Sequence, residues 1–229
     1  MSDKAPKLLV CCEESQRVCI AFRAKGWEAY SCDIEPCSGG HPEWHIQQDV
    51  LPLINGDCTF TTVDGVEHRI DGQWDLLICH PPCTYMSKAG GRWMYPTAGK
   101  VDQNRLDLAM RAKNFFMEFY NARCERIVIE NPRPLKVIGL PNPSQVIQPY
   151  EYGDPYSKET LLWIKGRPNL MPTKVLDKYS TWAPSNTGAF SRGGTGGKGA
   201  ARKAKERSKT FPGIARAMAE QWGDLEVKP

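Results

Sequence analysis

Short apolar runs closed by turn residues alternate with amphipathic stretches over most of this chain. Lys7–Cys12 predicts a buried strand, Ser15–Lys25 has helical spacing and stops at Gly26, and Trp27–Cys32 predicts a second strand closed by Asp33-Ile34-Glu35-Pro36. Strand, helix and strand in that order predict the first unit of a parallel sheet with a right-handed crossover. Ile46–Val50 is a candidate third strand. Thr59–Val63 and Val66–Ile70 flank Asp64-Gly65, a strong turn signal, so a hairpin at about residues 59–71 is expected to project from the sheet as an insertion. Trp74–Cys79 predicts a further strand, followed by a Gly-, Trp- and Tyr-rich loop (Met86–Lys100). In Asp102–Asn121, residues Leu106, Ala109, Met110, Lys113, Phe116, Met117 and Tyr120 keep a helical period. Arg126–Ile129 and Thr160–Ile164 predict strands, with Pro-rich connections filling Pro132–Pro155. Ile214–Trp222 is a last amphipathic helix entered through Phe211-Pro212-Gly213. The pattern predicts an α/β fold, a doubly wound and mostly parallel sheet in one domain over residues 1–229.

The ends of two predicted strands carry chemistry. The Trp74–Cys79 run stops at Pro81-Pro82, and Cys83 follows at once. Proline cannot continue a central strand, so these residues belong at the carboxyl edge of the sheet, where open α/β sheets bind ligands. The Arg126–Ile129 run ends in Glu130-Asn131-Pro132 in the same manner. A thiol and a carboxylate at neighbouring strand ends are the groups that nucleophilic attack with proton assistance requires.

Composition narrows the class. The 229 residues are 41% hydrophobic and 24% charged, as in globular proteins, and contain no apolar run of the roughly 18 residues that a membrane span needs. Met1 to Lys7 lacks the apolar core of a signal peptide, and Cys11, Cys12, Cys32, Cys79 and Cys124 fall in or at the ends of apolar runs. They read as reduced packing residues of a cytoplasmic protein. The net charge of +4 is too mild to prove a nucleic-acid partner, but its distribution is uneven. Arg192 to Lys209 holds seven Lys/Arg against one Glu, interleaved with glycines. This basic, Gly-rich segment at about residues 185–209 suits phosphate contacts through Arg192, Lys198, Arg202, Lys203 and Lys205, and does not suit a packed core.

The order of motifs resembles the DNA cytosine-5 methyltransferases over nearly the whole chain. Pro81-Pro82-Cys83 and Glu130-Asn131 match that family's nucleophile loop and base-binding pair. Asp33-Ile34-Glu35 resembles its second motif, and His41-Pro42-Glu43 with Asp49 its third. Tyr152-Gly153-Asp154-Pro155-Tyr156-Ser157-Lys158 resembles the segment that usually reads Tyr-Gly-x-Pro-Gln-x-Arg-x-Arg, and Phe211-Pro212-Gly213 stands where the last cofactor motif does. The resemblance implies a Rossmann-like class I fold that uses S-adenosyl-L-methionine. It implies that Cys83 adds to carbon 6 of cytosine, that Glu130 holds ring nitrogen 3 and the exocyclic amine, and that Lys158 is the remaining basic residue near the base. It also implies a cofactor site made by Cys12, Ser15, Asp33, Ile34, Asp49 and Pro81. Ser15 is expected to cap the first helix and donate to a carboxylate there. DNA, duplex or single-stranded, is the implied partner, for a monomer without membrane or metal. Small enzymes of this kind are typical of phages and prophages, which implies the cytoplasm of a bacterial host.

Two departures shape the substrate. The Gln-x-Arg-x-Arg segment becomes Tyr156-Ser157-Lys158-Glu159-Thr160, and about forty residues stand where the family carries a recognition domain. Few side chains are left to read base edges. The same chemistry on single-stranded DNA, RNA or a free cytosine nucleotide is therefore an alternative, as is a degenerate DNA-binding protein of this fold. Cys32, Cys37, His41 and His45 are close enough in sequence to ligate zinc, though in no common zinc spacing. An amino-methyltransferase would need an aromatic residue directly after the prolines, where this chain has Cys83, with Tyr85 two residues later.

Overall fold

The computed structural model describes residues 5–181, 206 and 208–224. Its strands, in chain order, are β1 (Lys7–Cys11), β2 (Glu28–Asp33), β3 (His45–Gln47), β4 (Cys58–Thr61), β5 (Glu67–Ile70), β6 (Leu76–Cys79), β7 (Ile127–Asn131), β8 (Gln145–Ile147), β9 (Tyr156–Ser157), β10 (Thr160–Lys165) and β11 (Ser180–Thr181). Its helices are α1 (Arg17–Arg23), α2 (Gly91–Met94), α3 (Gln103–Tyr120) and α4 (Pro212–Trp222). Seven strands form the main sheet in the order β3-β2-β1-β6-β7-β10-β8. The ladder is parallel from β3 to β7, and β10 runs antiparallel to both neighbours. This is a doubly wound, mostly parallel, Rossmann-like sheet, as the sequence pattern predicts. Strand order reverses between β1 and β6, which opens a crevice at their carboxyl ends.

Successive side chains of a strand face opposite sides, so each apolar run fills two cores. Leu9, Cys11, Leu77, Cys79, Ile127 and Ile129 pack on one side with Phe116 and Phe119 of α3. Leu8, Val10, Leu76, Ile78 and Val128 pack on the other with Val18 and Phe22 of α1 and Ile214, Met218 and Trp222 of α4. Each fully buried large apolar side chain contributes about 1.5–3 kcal/mol. Helix α3 begins at Asp102, whose carboxylate accepts from the Arg105 N–H at 2.7 Å.

The structure differs from the sequence reading at two places. Strand β3 starts at His45, a polar residue fully buried because Ser31 Oγ at 2.8 Å and the Glu35 carbonyl at 3.0 Å satisfy both ring nitrogens. Strand β8 lies inside the Pro-rich connection, held by pairing with β10. Strands β4 and β5 form a two-stranded antiparallel hairpin apart from the main sheet. Phe60 and Ile70 are buried, and the Phe60 ring meets Tyr30 edge-on at 5.0 Å. Among the described residues no helix is long and apolar enough to cross a membrane.

Candidate active site

His80, Pro81, Pro82 and Cys83 leave the carboxyl end of β6, and the His80 N–H continues the ladder by donating to the Cys11 carbonyl at 2.9 Å. The chain turns sharply after the thiol, because the N–H groups of Met86 and Ser87 both donate to the Cys83 carbonyl at 3.0 Å. Asn131, the last residue of β7, donates from Nδ2 to the Pro81 carbonyl at 2.7 Å, and this bond is buried. The loops beyond are laced together. Lys88 N–H donates to the Arg133 carbonyl and Leu135 N–H to the Met86 carbonyl, each at 2.8 Å. The thiol loop and the Glu130 strand end are thereby one rigid piece.

Glu130 precedes Asn131, and its carboxylate meets His80 Nδ1 at 3.1 Å with both side chains about nine-tenths buried. Burial pushes the Glu130 carboxyl up. The His80 hydrogen bond and the electrostatic attraction of Lys158 and His80 outweigh it and hold the group below the usual carboxylate range. Lys158 sits in the turn between β9 and β10, with its ammonium 5.9 Å from the Phe211 ring.

A cleft of about 430 Å³ opens at the switch point. Cys12, Glu13, Glu14, Ser15, Asp33, Glu35, His80, Pro82, Cys83 and Thr84 line it, and Ser208 to Thr210 form the far wall. The Arg17 guanidinium ties that wall down by donating to the Thr210 carbonyl at 2.7 Å. Asp33 ends β2 at the cleft, where burial raises its carboxyl although the Glu35 N–H donates to it at 3.0 Å. A larger cavity of about 480 Å³ lies near Trp163 and Lys165, at the opposite ends of β7 and β10 from the thiol.

The segment before α1 corrects one expectation. Ser15 does not cap the helix; the N-cap position is Gln16, and its side chain makes no capping bond. Glu13 reaches over instead, its carboxylate accepting from Val18 N–H at 2.7 Å and Cys19 N–H at 3.2 Å. Burial raises the Glu13 carboxyl, and these N–H groups and the nearby His80 ring only partly offset it. The helix N-terminus is therefore already occupied by a carboxylate of the chain itself. Cys12 and Gln16 both hold φ of 58°, left-handed backbone that glycines adopt without strain.

No family model and no curated protein matches the chain. Among solved structures, it is similar to the crystal structure of a mutant of Spodoptera frugiperda DNMT2, with 17% identity and a TM-score of 0.35. The match covers 79% of this chain and 56% of that one, so the chain spans little more than half the length of that neighbour.

Of the residues singled out from sequence, the fold gathers Cys12, Ser15, Asp33 and Cys83 on the cleft, with Glu130 and Lys158 linked to it behind His80. Ile34, Asp49 and Pro81 do not line it. Ile34 is 74% exposed beside Asp33, Asp49 is an exposed turn residue accepting from Leu51 N–H, and Pro81 is buried with Pro82 taking its place on the wall. Arg192, Lys198, Arg202, Lys203 and Lys205 lie outside the described residues. The zinc candidates are otherwise engaged: His45 is satisfied as above, and His41 stacks on Trp44 at 3.9 Å and pairs with Glu43. Among the described residues no group of three or more His, Cys, Asp or Glu side chains is arranged to hold a metal ion. None of the nine cysteines is joined in a disulfide.

His80, Asn131 and Glu13 were missed as site residues. A titratable side chain immediately before two prolines at a strand end was the available signal for His80. Asp154 and Gly213 were missed as a pair. Asp154 accepts the Gly213 N–H at 2.9 Å, which joins the Tyr152-Gly153-Asp154 segment to the start of α4.

Proposed function

We propose that this protein transfers a methyl group from S-adenosyl-L-methionine to carbon 5 of cytosine in DNA through a covalent adduct with Cys83. The supporting observation is the pinned pair of strand ends: the Asn131–Pro81 bond fixes the thiol loop to the strand that carries a buried, charge-stabilised Glu130. In this reading the Cys83 thiolate adds to carbon 6, and the ring's π electrons move to carbon 5. Carbon 5 takes the methyl group, and loss of its proton then expels the thiolate and restores the ring. Glu130 fixes the polar edge of the base while this happens. A target within a duplex would have to swing out of the stack to reach the thiol.

The cleft fits the cofactor in size and chemistry. Its volume falls within the roughly 300–1,000 Å³ of small-molecule sites. Asp33, half-buried and short of compensating donors, suits ribose hydroxyls, and the exposed Ile34 next to it offers an apolar cover for a purine ring. Cys12 and Ser15 border the same space. S-adenosyl-L-methionine, when bound, supplies an electrophilic methyl group. With Glu13 occupying the end of α1, an amino-acid carboxylate has to be held elsewhere.

A second reading keeps the chemistry on a single-stranded acceptor. Trp93 in α2, on the laced loop after Cys83, is 58% exposed with the Arg92 guanidinium 4.8 Å from its ring. An exposed aromatic beside a cation suits stacking on unpaired bases. The stretch from Leu76 to Val101 has no acidic residue and carries Lys88, Arg92 and Lys100. Tritiated methyl transfer to duplex DNA, single-stranded DNA, RNA and dCMP in parallel separates the two readings. Cys83→Ala should abolish transfer, and DNA containing 5-fluorocytosine should trap a denaturation-resistant adduct with the natural chain. Turnover by the alanine variant at the natural rate would remove the covalent mechanism.

A further inference from the structure

His80 is the one polar side chain at the cleft that is nine-tenths buried, bonded to the proposed base-holding carboxylate, and given no part in the chemistry above. An ionised carboxylate only accepts hydrogen bonds, so the contact to Glu130 Oε2 places the ring hydrogen on His80 Nδ1. The other ring nitrogen, Nε2, is buried with no hydrogen-bond partner among the described residues. A fold gains nothing from such an arrangement by itself. Withdrawing a His and a Glu from water is costly, and a buried nitrogen without a partner adds to that cost. Arrangements of this kind mark places where a bound molecule completes the bonding.

The Nδ1 contact has a chemical consequence for Glu130. It occupies one carboxylate oxygen and leaves the other to meet a base, so the ionised group accepts from the exocyclic amine and does not also hold ring nitrogen 3, itself an acceptor. Glu13 faces this group from the turn before α1 and Lys158 from the turn before β10; the second adds to the charge that keeps Glu130 ionised. A single acceptor oxygen meets the exocyclic amine of cytosine favourably. Uracil carries a carbonyl oxygen at the same position, and two acceptors brought together without a hydrogen repel. We propose that His80 is a specificity-determining positioning residue that holds Glu130 as a one-oxygen acceptor and so selects cytosine over uracil. This rests on the cytosine reading given above.

The expected size follows from the bond. Hydrogen bonds to charged groups, when lost, change affinities by about 10–100-fold, and sites built around a substrate's polar group reject the wrong partner at least as strongly. The test compares kcat/KM for otherwise identical oligonucleotides with cytosine or uracil at the methylated position. The full chain is used, with His80→Ala, His80→Gln and His80→Asn. An asparagine places an N–H close to where Nδ1 stands, and a glutamine amide reaches farther along the ring axis. His80→Ala and His80→Gln should therefore lose about 10–100-fold of the cytosine preference, and His80→Asn should recover most of it. In parallel, nitrogen-15 spectra of the imidazole should show the Nδ1–H tautomer in the natural chain and a loss of that preference in Glu130→Ala, which removes the acceptor.

Preference within about twofold of the natural chain in His80→Ala and His80→Gln, or an Nε2–H tautomer in the natural chain, overturns the proposal. If one variant fails to fold, the other two and the spectra still decide it. Failure of the cytosine reading looks different: the natural chain itself would then transfer no methyl group to cytosine in any acceptor.

Discussion

Asn131 offers the sharpest test of how the site is held together. Its side-chain amide is 2% exposed and its Nδ2 donates to the Pro81 carbonyl at 2.7 Å, two residues before the thiol. Truncation in Asn131→Ala strands a buried carbonyl oxygen, at a cost of about 1–3 kcal/mol. For a chain of this length each kcal/mol moves the midpoint by about 2–4 °C, so a loss near 2 kcal/mol lowers Tm by about 4–8 °C. Asn131→Asp is the discriminating partner. An ionised aspartate sets an acceptor against an acceptor, beside the Glu130 carboxylate, whereas the protonated acid keeps a donor. Its folded pKa is raised above the unfolded value near 3.9. Stability is therefore full below the unfolded value and is lost as pH rises through the folded one. Calorimetric melts should show Asn131→Asp close to the natural chain at low pH and well below Asn131→Ala at pH 8. Equal melting of the three chains at pH 8 would mean that this bond does not anchor the thiol loop.

Three other expectations are more quickly stated. Asp33→Ala should weaken S-adenosyl-L-methionine binding by about 1–3 kcal/mol, measured by titration calorimetry, and unchanged affinity would move the cofactor away from the end of β2. Gly213→Ala should destabilise by about 1–3 kcal/mol in urea melts despite alanine's better helix propensity. The added methyl group collides with the Tyr152 carbonyl and comes within 2.6 Å of Asp154 Oδ2, so a variant as stable as the natural chain would mean that the segment shifts freely. Glu13→Gln should flatten the fall in stability that sets in as pH rises above the unfolded carboxyl pKa of about 4.3. A carboxyl raised by folding stabilises below its unfolded pKa and loses that contribution as pH rises through the folded one, so identical pH profiles would rule the raised value out.

The central strands were legible because residues buried on both faces leave continuous apolar runs, as Leu76–Cys79 and Ile127–Ile129 do. Strand β8 was not. It has three residues between Pro143 and Pro149, and only its pairing with β10 makes it a strand. His45 breaks the apolar rule because its partners come from β2 and the loop after it. Cys83 and Glu130 could be read from the prolines that end their strands, a local signal. The His80–Glu130 contact could not, since 50 residues separate its members. Glu13 misled the capping rule for a related reason. That rule looks for a short side chain at the cap itself, whereas a glutamate three residues upstream reaches the same N–H groups once the backbone passes through left-handed conformations at Cys12 and Gln16.

The carboxylates around the cleft tie ligand binding to proton uptake and release. Burial raises Asp33 and Glu13, and the negative charge of Glu14 adds to both shifts. A positively charged ligand entering that space favours their ionised forms and drives protons out as it binds. In the proposed reaction the incoming reagent carries a sulfonium charge, and the thioether left behind has lost it. Acid therefore weakens capture of the reagent more than retention of the spent product, and wherever these carboxyls are ionised the cleft's own charge favours exchange of one for the other.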